Sequence, residues 1–459
     1  MKDEVIDEAI YERYIMPTKR KSTRLLGLEF ELPIVNKTNM PVDFKVVHKM
    51  TDAFVREFSF DEIYRDDDGF IYNAVNGKTG DSISFDCSYN TLEFSFGTEL
   101  DMNILYGRFV KYYTFVQNSF AQYHHALTGM GINPHHAINK NVPVVSERYR
   151  MLFHHLCSYQ SYDKEMLFHH HPNFGLFSCA SQIQMDVEED KLVETLNTFT
   201  KLEPFKALIF ANSLWGENQD ILCSRDNFWR NSLHGLNRHN VDMYGLEFES
   251  IDEILLYIRS MSLYCVERNG KYVNFPPIPL TEYFRTEEIL GEYFDGERYQ
   301  PISVHPEISD LQYLRSFKFE DLTFRGTVEF RSVCEQPVKE IMATGAFHAG
   351  LMENLHPLTQ LLDEDHVIYH RGYNASELRR MFVKNRLPDI FDWKAVSVFI
   401  TNILDIAKDG LQKRGLGEEA FLEPLYMRAE NLLSPARQML KGLKEGKSLD
   451  DYIEEYGRL

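Results

Sequence analysis

Four separate stretches of this chain alternate apolar and polar residues with a period of two, and that pattern constrains the fold more than any other feature. In residues 26–33, Leu26, Leu28, Phe30 and Leu32 alternate with Gly27, Glu29 and Glu31, as a strand does when one face is buried and the other polar. Residues 91–96 repeat the arrangement, with Leu92, Phe94 and Phe96 against Glu93 and Ser95. In residues 178–187, Ile183, Met185 and Val187 oppose Gln182, Gln184 and Asp186, and in residues 326–332 Glu329 and Arg331 share the polar side. At roughly 3.3 Å rise per residue, Glu29 and Glu31 stand about 7 Å apart, where they repel by about 0.6 kcal/mol in water and about 2.4 at an effective dielectric of 20. One such strand is explained by a solvated sheet face. Four of them, carrying Glu29, Glu31, Glu93, Gln182, Glu329 and Arg331, imply one sheet with a shared polar surface lining a cleft.

The remaining pattern supplies what covers the other face. Helical spacing is expected over residues 4–14, ending before Pro17, and over 46–58, 101–126, 146–159, 190–211 and 251–266. A hairpin turning at Asn76-Gly77 joins residues 70–75 to 81–85. Gly77-Lys78-Thr79 resembles the end of a phosphate-binding loop, but Tyr72 stands where that motif needs its first glycine. Residues 212–240 form a long loop region anchored by Trp215, Phe228 and Trp229, and residues 271–273 a short strand. Residues 275–306 read as an irregular excursion. From about residue 338 the pattern is helical to the end, over 354–362, 375–382, 393–409, 418–430 and 435–443. The expected class is α+β, an antiparallel sheet with one face a catalytic cleft and helices packed on the other.

The composition narrows the partners. Across 459 residues, 49 basic and 69 acidic side chains leave a formal charge of −20, which argues against nucleic acid or an anionic membrane surface as the partner. Six cysteines occur without a CxxC pair, so neither a zinc ribbon nor a disulfide framework is suggested and a reducing cytoplasm is expected. No apolar leader and no run of about 18 apolar residues is present, so a soluble protein without a membrane span is expected. The clustered histidines, at 124–125, 135–136, 154–155 and 169–171, point apart when adjacent and form no HExxH, so they are read as polar lining and surface. Carboxylates facing one cleft suit two or more Mg²⁺ ions, which fill their octahedra with water and substrate phosphates. Arg331 among them is shaped to meet a phosphoryl group.

At these residues the sequence resembles the glutamate–cysteine ligases of plants and many bacteria, in the carboxylate–amine ligase superfamily related to glutamine synthetase. GLEFELP is similar to that family's opening ExE strand, TLEFSFG to its next acidic strand, SCASQIQMDV to its Gln-containing strand and GTVEFRSV to its late ExR strand. Further matches are Ser146-Glu147-Arg148-Tyr149, Ala211-Asn212-Ser213 followed by Ser224-Arg225 and Trp229, Lys271-Tyr272, and the helical segment 411–440, in the family's order over nearly the whole chain. The resemblance implies one catalytic domain over residues 1–459 on a curved, glutamine synthetase-like sheet. It implies a ligase that uses ATP as co-substrate and Mg²⁺, with Mn²⁺ able to replace it, to phosphorylate the γ-carboxylate of L-glutamate and join it to the amine of L-cysteine.

Carried over by motif, Glu29, Glu31, Glu93, Gln182 and Glu329 are the implied metal ligands, and Arg331, Glu29 and Glu329 the implied catalytic residues. Arg331, Lys271 and Asp86 are implied to face nucleotide, and Arg148, Tyr149, Gln182, Arg225 and Trp229 substrate. One departure stands out: Asp86-Cys87-Ser88-Tyr89-Asn90 replaces the Glu-Pro-Gly-Gly turn of plant-type members, with a one-residue change in length. Asp86 is then an acidic ligand on a shorter arm, and the acceptor edge of the site differs. Two alternatives follow: a γ-glutamyl ligase with another amine or amino acid as acceptor, and a nonenzymatic binding protein on the same fold.

Overall fold

The computed structural model describes residues 2–158, 169, 171–216 and 219–459. The four alternating stretches form one antiparallel sheet. Across it run Glu320–Leu322, Thr327–Phe330, Ser181–Asp186, Leu26–Asn36, Thr91–Ser95, Ser82–Ser84, Ile71–Val75 and Glu62–Arg65, with His125–Leu127 on the far end of Leu26–Asn36. The register decides which side chains share a face. Phe30 lies opposite Phe94, and Leu28 opposite Ile183, which lies opposite Phe330. On the other face Glu31 opposes Glu93, Glu29 opposes both Ser95 and Gln182, and Glu329 opposes Gln184. A slip of one residue would exchange the faces and bury the acids in the core.

Helices cover the apolar face, as expected for an α+β fold. Phe30 meets Phe109 of the helix Met102–Ala121 with ring centroids 5.4 Å apart, and Phe330 meets Phe199 of Glu189–Phe210 at 4.4 Å. Such edge and tilted contacts add about 0.5–1.5 kcal/mol each beyond area burial. The helix Ala343–Glu353 lies close enough that a Cβ on Gly345 would come 3.1 Å from Leu28. That helix crosses Trp393–Arg414 backbone to backbone, and a Cβ on Gly410 would stand 1.9 Å from the Gly350 carbonyl oxygen. Only glycine permits that crossing. One hydrophobic core extends from Ile6 to Leu440.

Several expected elements differ. The helix expected over 101–126 is capped by Asp101 but ends at Ala121, and His125–Leu127 turns back as a strand beside Ile34–Asn36. The helix expected over 251–266 is Ile251–Ser260, followed by a strand Ser262–Arg268. That strand and Lys271–Pro279, Ile289–Phe294 and Tyr299–Val304 make a second antiparallel sheet, so residues 275–306 are regular rather than an excursion. Its central run, Ser262 to Val266, is buried throughout, and a fully buried strand has no alternation to separate it from a helix. At the N-terminus the chain stays helical through Pro17, as a π-turn over Tyr11–Ile15 and a 3₁₀ turn over Met16–Lys19 that carry the proline at a first-turn position. Of the histidines expected as lining and surface, His125, His135 and His155 are buried, and His170 lies outside the described residues, as does Tyr159 at the end of the helix expected over 146–159. Among the described residues no helix is long and apolar enough to cross a membrane.

Candidate active site

The polar face opens into two adjoining chambers. One, of about 330 Å³, is lined by Glu29, Glu31, Glu93, Asn73, Ser82 and Ser84 of the sheet and by Tyr149. The other, of about 190 Å³, is lined by Arg225, Asp226 and Trp229 together with aromatic residues of the second sheet and the loop before Phe317. Glu31, Asp86, Arg148, Gln182 and Arg331 border both chambers. A reaction between ligands in the two chambers has to happen beside these five.

In the first chamber Glu31, Asp86 and Glu93 converge, with one carboxylate oxygen from each lying within 4.8 Å of the others. Register brings Glu31 and Glu93 together. Asp86 arrives by a bend: Cys87 has φ of 62°, the left-handed region that side chains rarely adopt, and the Cys87 carbonyl accepts from the Val144 amide at 2.9 Å. Asp86 takes a hydrogen bond from Tyr149, and Glu93 one from Ser95 Oγ at 2.6 Å. Neither relieves the charge. Burial, then Asp86 and Glu93, push the Glu31 carboxyl well above the usual range. Burial and Asp86 push Glu93 up to about 7. Burial also raises Asp86, opposed by Arg148 and Arg331.

Beside this triad is a second acidic pair. Gln184 Nε2 donates to Glu29 Oε1 at 3.3 Å and to Glu329 Oε1 at 3.1 Å, while Arg331 reaches Glu329 Oε2 at 3.1 Å. Burial, Glu329 and Glu93 push Glu29 well above its ordinary value. Burial opposes the charge on Arg331, but Glu329, Asp321 and Glu29 outweigh it and hold the guanidinium charged. Gln182 Nε2 donates to Glu31 Oε1 at 2.7 Å, whereas its Oε1 is buried without a partner. An all-oxygen donor set with excess negative charge and an orphaned carbonyl oxygen fits a hard divalent cation such as Mg²⁺.

Each sequence-derived residue thus has a place. Glu29, Glu31, Glu93, Gln182, Glu329 and Arg331 share the sheet face, and Asp86 joins Glu31 and Glu93 although it was singled out beside nucleotide. Arg148, exposed at the junction, makes no hydrogen bond or ion pair among the described residues. Arg225, buried, spends its terminal nitrogens on the carbonyls of Arg331, Ser332 and Val333, and its Nε is unpartnered. Trp229 stacks on Phe317 at 4.3 Å, and Tyr149 closes the acidic chamber. Lys271 borders neither chamber; its Nζ stands 2.6 Å from Glu147 at the surface. Sequence reasoning missed Gln184 as the bridge between Glu29 and Glu329, although its place on the polar face of an alternating strand was visible. It also missed Arg315, and Tyr264 on the strand Ser262–Arg268 that reads as the end of a helix.

The polar sheet face with Asp86 gathers five carboxylates, two amides and a guanidinium beside an aromatic chamber, the architecture of an acidic-cleft protein. The particular family is set by comparison: glutamate–cysteine ligase family 2 matches residues 25–455, and the chain belongs to it. A chloroplastic glutamate–cysteine ligase of Solanum lycopersicum is 22% identical over 341 residues, covering 71% of this chain and 60% of that protein. The chloroplastic glutamate–cysteine ligase A of Oryza sativa subsp. indica is 22% identical over 346 residues, covering 71% and 63%. The chain therefore spans about 60% of the length of these curated relatives. Among solved structures, a glutamate–cysteine ligase from Francisella tularensis in complex with AMP has a TM-score of 0.45 at 11% identity, covering 95% of this chain and 87% of that one. A bifunctional glutathione synthetase from Pasteurella multocida has a TM-score of 0.44 at 8% identity, covering 100% of this chain and 53% of that one.

Proposed function

We propose that this protein is an ATP- and Mg²⁺-dependent ligase that joins the γ-carboxylate of L-glutamate to the amine of L-cysteine. A single observation carries the reading: three carboxylates converge within 4.8 Å beside Arg331, at the junction of the two chambers. Family membership supports the same reaction class. Glu31, Asp86 and Glu93 would hold one Mg²⁺, and Glu29 and Glu329 another. Bound there, Mg²⁺ (or Mn²⁺) neutralises phosphate charge and orients the triphosphate. Arg331 faces the phosphoryl group in transfer, where a guanidinium matches its oxygens. Arg225, Gln182 and Trp229 line the place for glutamate. In the first step a γ-carboxylate oxygen attacks the terminal phosphorus of ATP and ADP leaves. In the second, the acceptor amine attacks the acyl carbon, the C–N bond forms, the C–O bond to phosphate breaks and the amine loses its proton.

A second reading keeps glutamate and ATP and changes the acceptor to another amine. Asp86 and Cys87, in the turn that departs from the plant-type pattern, line the cavity itself, so the acceptor edge is where this chain differs. We take residues 1–459 as one catalytic domain, since one core runs from Ile6 to Leu440, and place the reaction in a reducing cytoplasm, since all six cysteines are free thiols. The test is ADP release by purified protein with Mg²⁺, ATP, L-glutamate and a panel of amines, with products read by mass spectrometry. Glutamate-dependent ADP formation and a γ-glutamyl product are expected. Failure with every amine removes the ligase reading and leaves a nonenzymatic binding protein.

A further inference from the structure

We infer that Arg315 holds the α-carboxylate of the acceptor, so that the acceptor is an α-amino acid rather than a simple amine. This rests on the ligase reading above. The 190 Å³ chamber has two ends, each backed by its own apolar cluster. At one, Leu156, Trp215 and Phe228 pack with Trp229, and Arg225 stands beside Asp226. At the other, Met151, Tyr264 and Cys265 pack with Tyr272, and the charged side chains are Arg148 and Arg315.

Arg315 donates only to carbonyls of its own loop, Gln312 at 2.9 Å and Leu314 at 3.3 Å. Among the described residues neither Arg315 nor Arg148 has a carboxylate within ion-pair distance. Both guanidiniums act on the same three groups, since the fields of both oppose the burial that raises Tyr264, Cys265 and Tyr272. In a chain of net charge −20, Arg315, a cavity-wall cation with no carboxylate within ion-pair distance among the described residues, is matched by an anionic ligand.

The two ends suit different substrates. Glutamate's α-ammonium takes no part in the reaction, so its end tolerates an acid, and Asp226 stands there. The acceptor's amine must attack with its lone pair free. A guanidinium at this end, Arg315, anchors a carboxylate while disfavouring the ammonium form beside it. The wall of Met151, Cys265, Tyr264 and Tyr272 suits a small, polarisable side chain.

The test compares matched acceptors with and without the carboxylate: cysteine against cysteamine, and alanine against ethylamine. Each is assayed by ADP release at saturating ATP and glutamate, for the unsubstituted protein, Arg315→Ala and Arg315→Lys. For the amino acid, Arg315→Ala is expected to lower kcat/KM about 10- to 100-fold, the loss of a charge-assisted hydrogen bond. The decarboxylated amine should change less than about threefold, the glutamate KM should hold, and Arg315→Lys should recover part of the loss. A merely structural role for Arg315 lowers both acceptors equally, and that result overturns the inference. A raised glutamate KM with an unmoved acceptor ratio also overturns it and assigns Arg315 to the donor. If the unsubstituted protein releases no ADP with glutamate and any amine, the ligase reading fails first and this inference with it.

Discussion

Beneath the sheet, Glu203 meets Lys206 and Arg379; on its polar face, Glu29, Glu31, Asp86, Glu93 and Glu329 face Arg331 and Arg148. The two regions are separated by a single strand, since Ser332 Oγ donates to Glu203 at 3.0 Å while Arg331, one residue earlier, turns to Glu329. In the lower region Glu203 is held by Lys206 and Arg379, and Arg379 also reaches Asp226 at 2.7 Å. Glu203 is thus charge-matched within the chain. On the polar face acids outnumber bases by five to two, and burial pushes four of the five acids upward. Buried charges without partners are costly, and this is the imbalance that the proposed Mg²⁺ would relieve.

The sharpest way to break this comparison is to remove charge from each region in turn. Glu31→Gln should abolish ATP turnover, by about a thousandfold or more, because the cation site loses a ligand that also meets the junction. Its thermal unfolding should not worsen, since a mutual repulsion goes with it. Glu29→Gln should behave in the same way, and Arg331→Ala should lose turnover to the same degree while losing some stability, because Glu329 gives up its partner. Unchanged ADP release in any of the three would remove that residue from the mechanism. Glu203→Ala should act in the opposite sense, destabilising by about 3–5 kcal/mol in urea unfolding because Lys206 is left buried and unmatched and Arg379 keeps only Asp226. An equal loss of stability in Glu31→Gln and Glu203→Ala would erase the distinction between the regions.

That distinction was only half legible in the sequence. The polar face could be read because its strands are buried on one side, so a period of two reports both the fold and the direction of every acid. Glu203 and Lys206 lie where the helix Glu189–Phe210 is buried all round, so no such period isolates them, and Arg379 takes a place on the buried face of Ala375–Phe382 that an apolar residue would ordinarily hold. The second sheet escaped because Ser262 to Val266 is buried on both sides and follows a helix without glycine or proline between them. With it went Tyr264. Asp86 was visible as an acid, but its convergence with Glu31 and Glu93 depends on the left-handed Cys87, a conformation that composition does not announce.

A smaller effect sharpens the charge argument through pH. The Glu93 carboxyl rises from 4.5 to about 7 in the folded protein, with Glu29, Glu31 and Asp86 moved the same way. The folded state therefore binds protons more readily than the unfolded one. Without metal, the contribution of these groups to stability falls as pH rises from about 4.5 through about 7. Relative to Glu93→Gln, the unsubstituted protein should lose melting temperature across that window, and added Mg²⁺ should raise it more at pH 8 than at pH 5. A Mg²⁺ effect independent of pH, or of Glu93, would place the cation elsewhere.

The smallest expected effect concerns Lys271, the one singled-out cation that the fold leaves outside both chambers. Its ammonium meets Glu147 with 42% of the side chain exposed, and an exposed pair of this kind contributes about 0–1 kcal/mol. Lys271→Ala should therefore leave ADP release within about threefold and unfolding nearly unmoved. Arg148, next to Glu147 in sequence but facing the junction without a partner, gives the contrast: Arg148→Ala should lower turnover severalfold more. Equal losses in the two variants would mean that the strand Lys271–Pro279 closes over the nucleotide during the reaction, bringing Lys271 to the acidic face that it does not touch at rest.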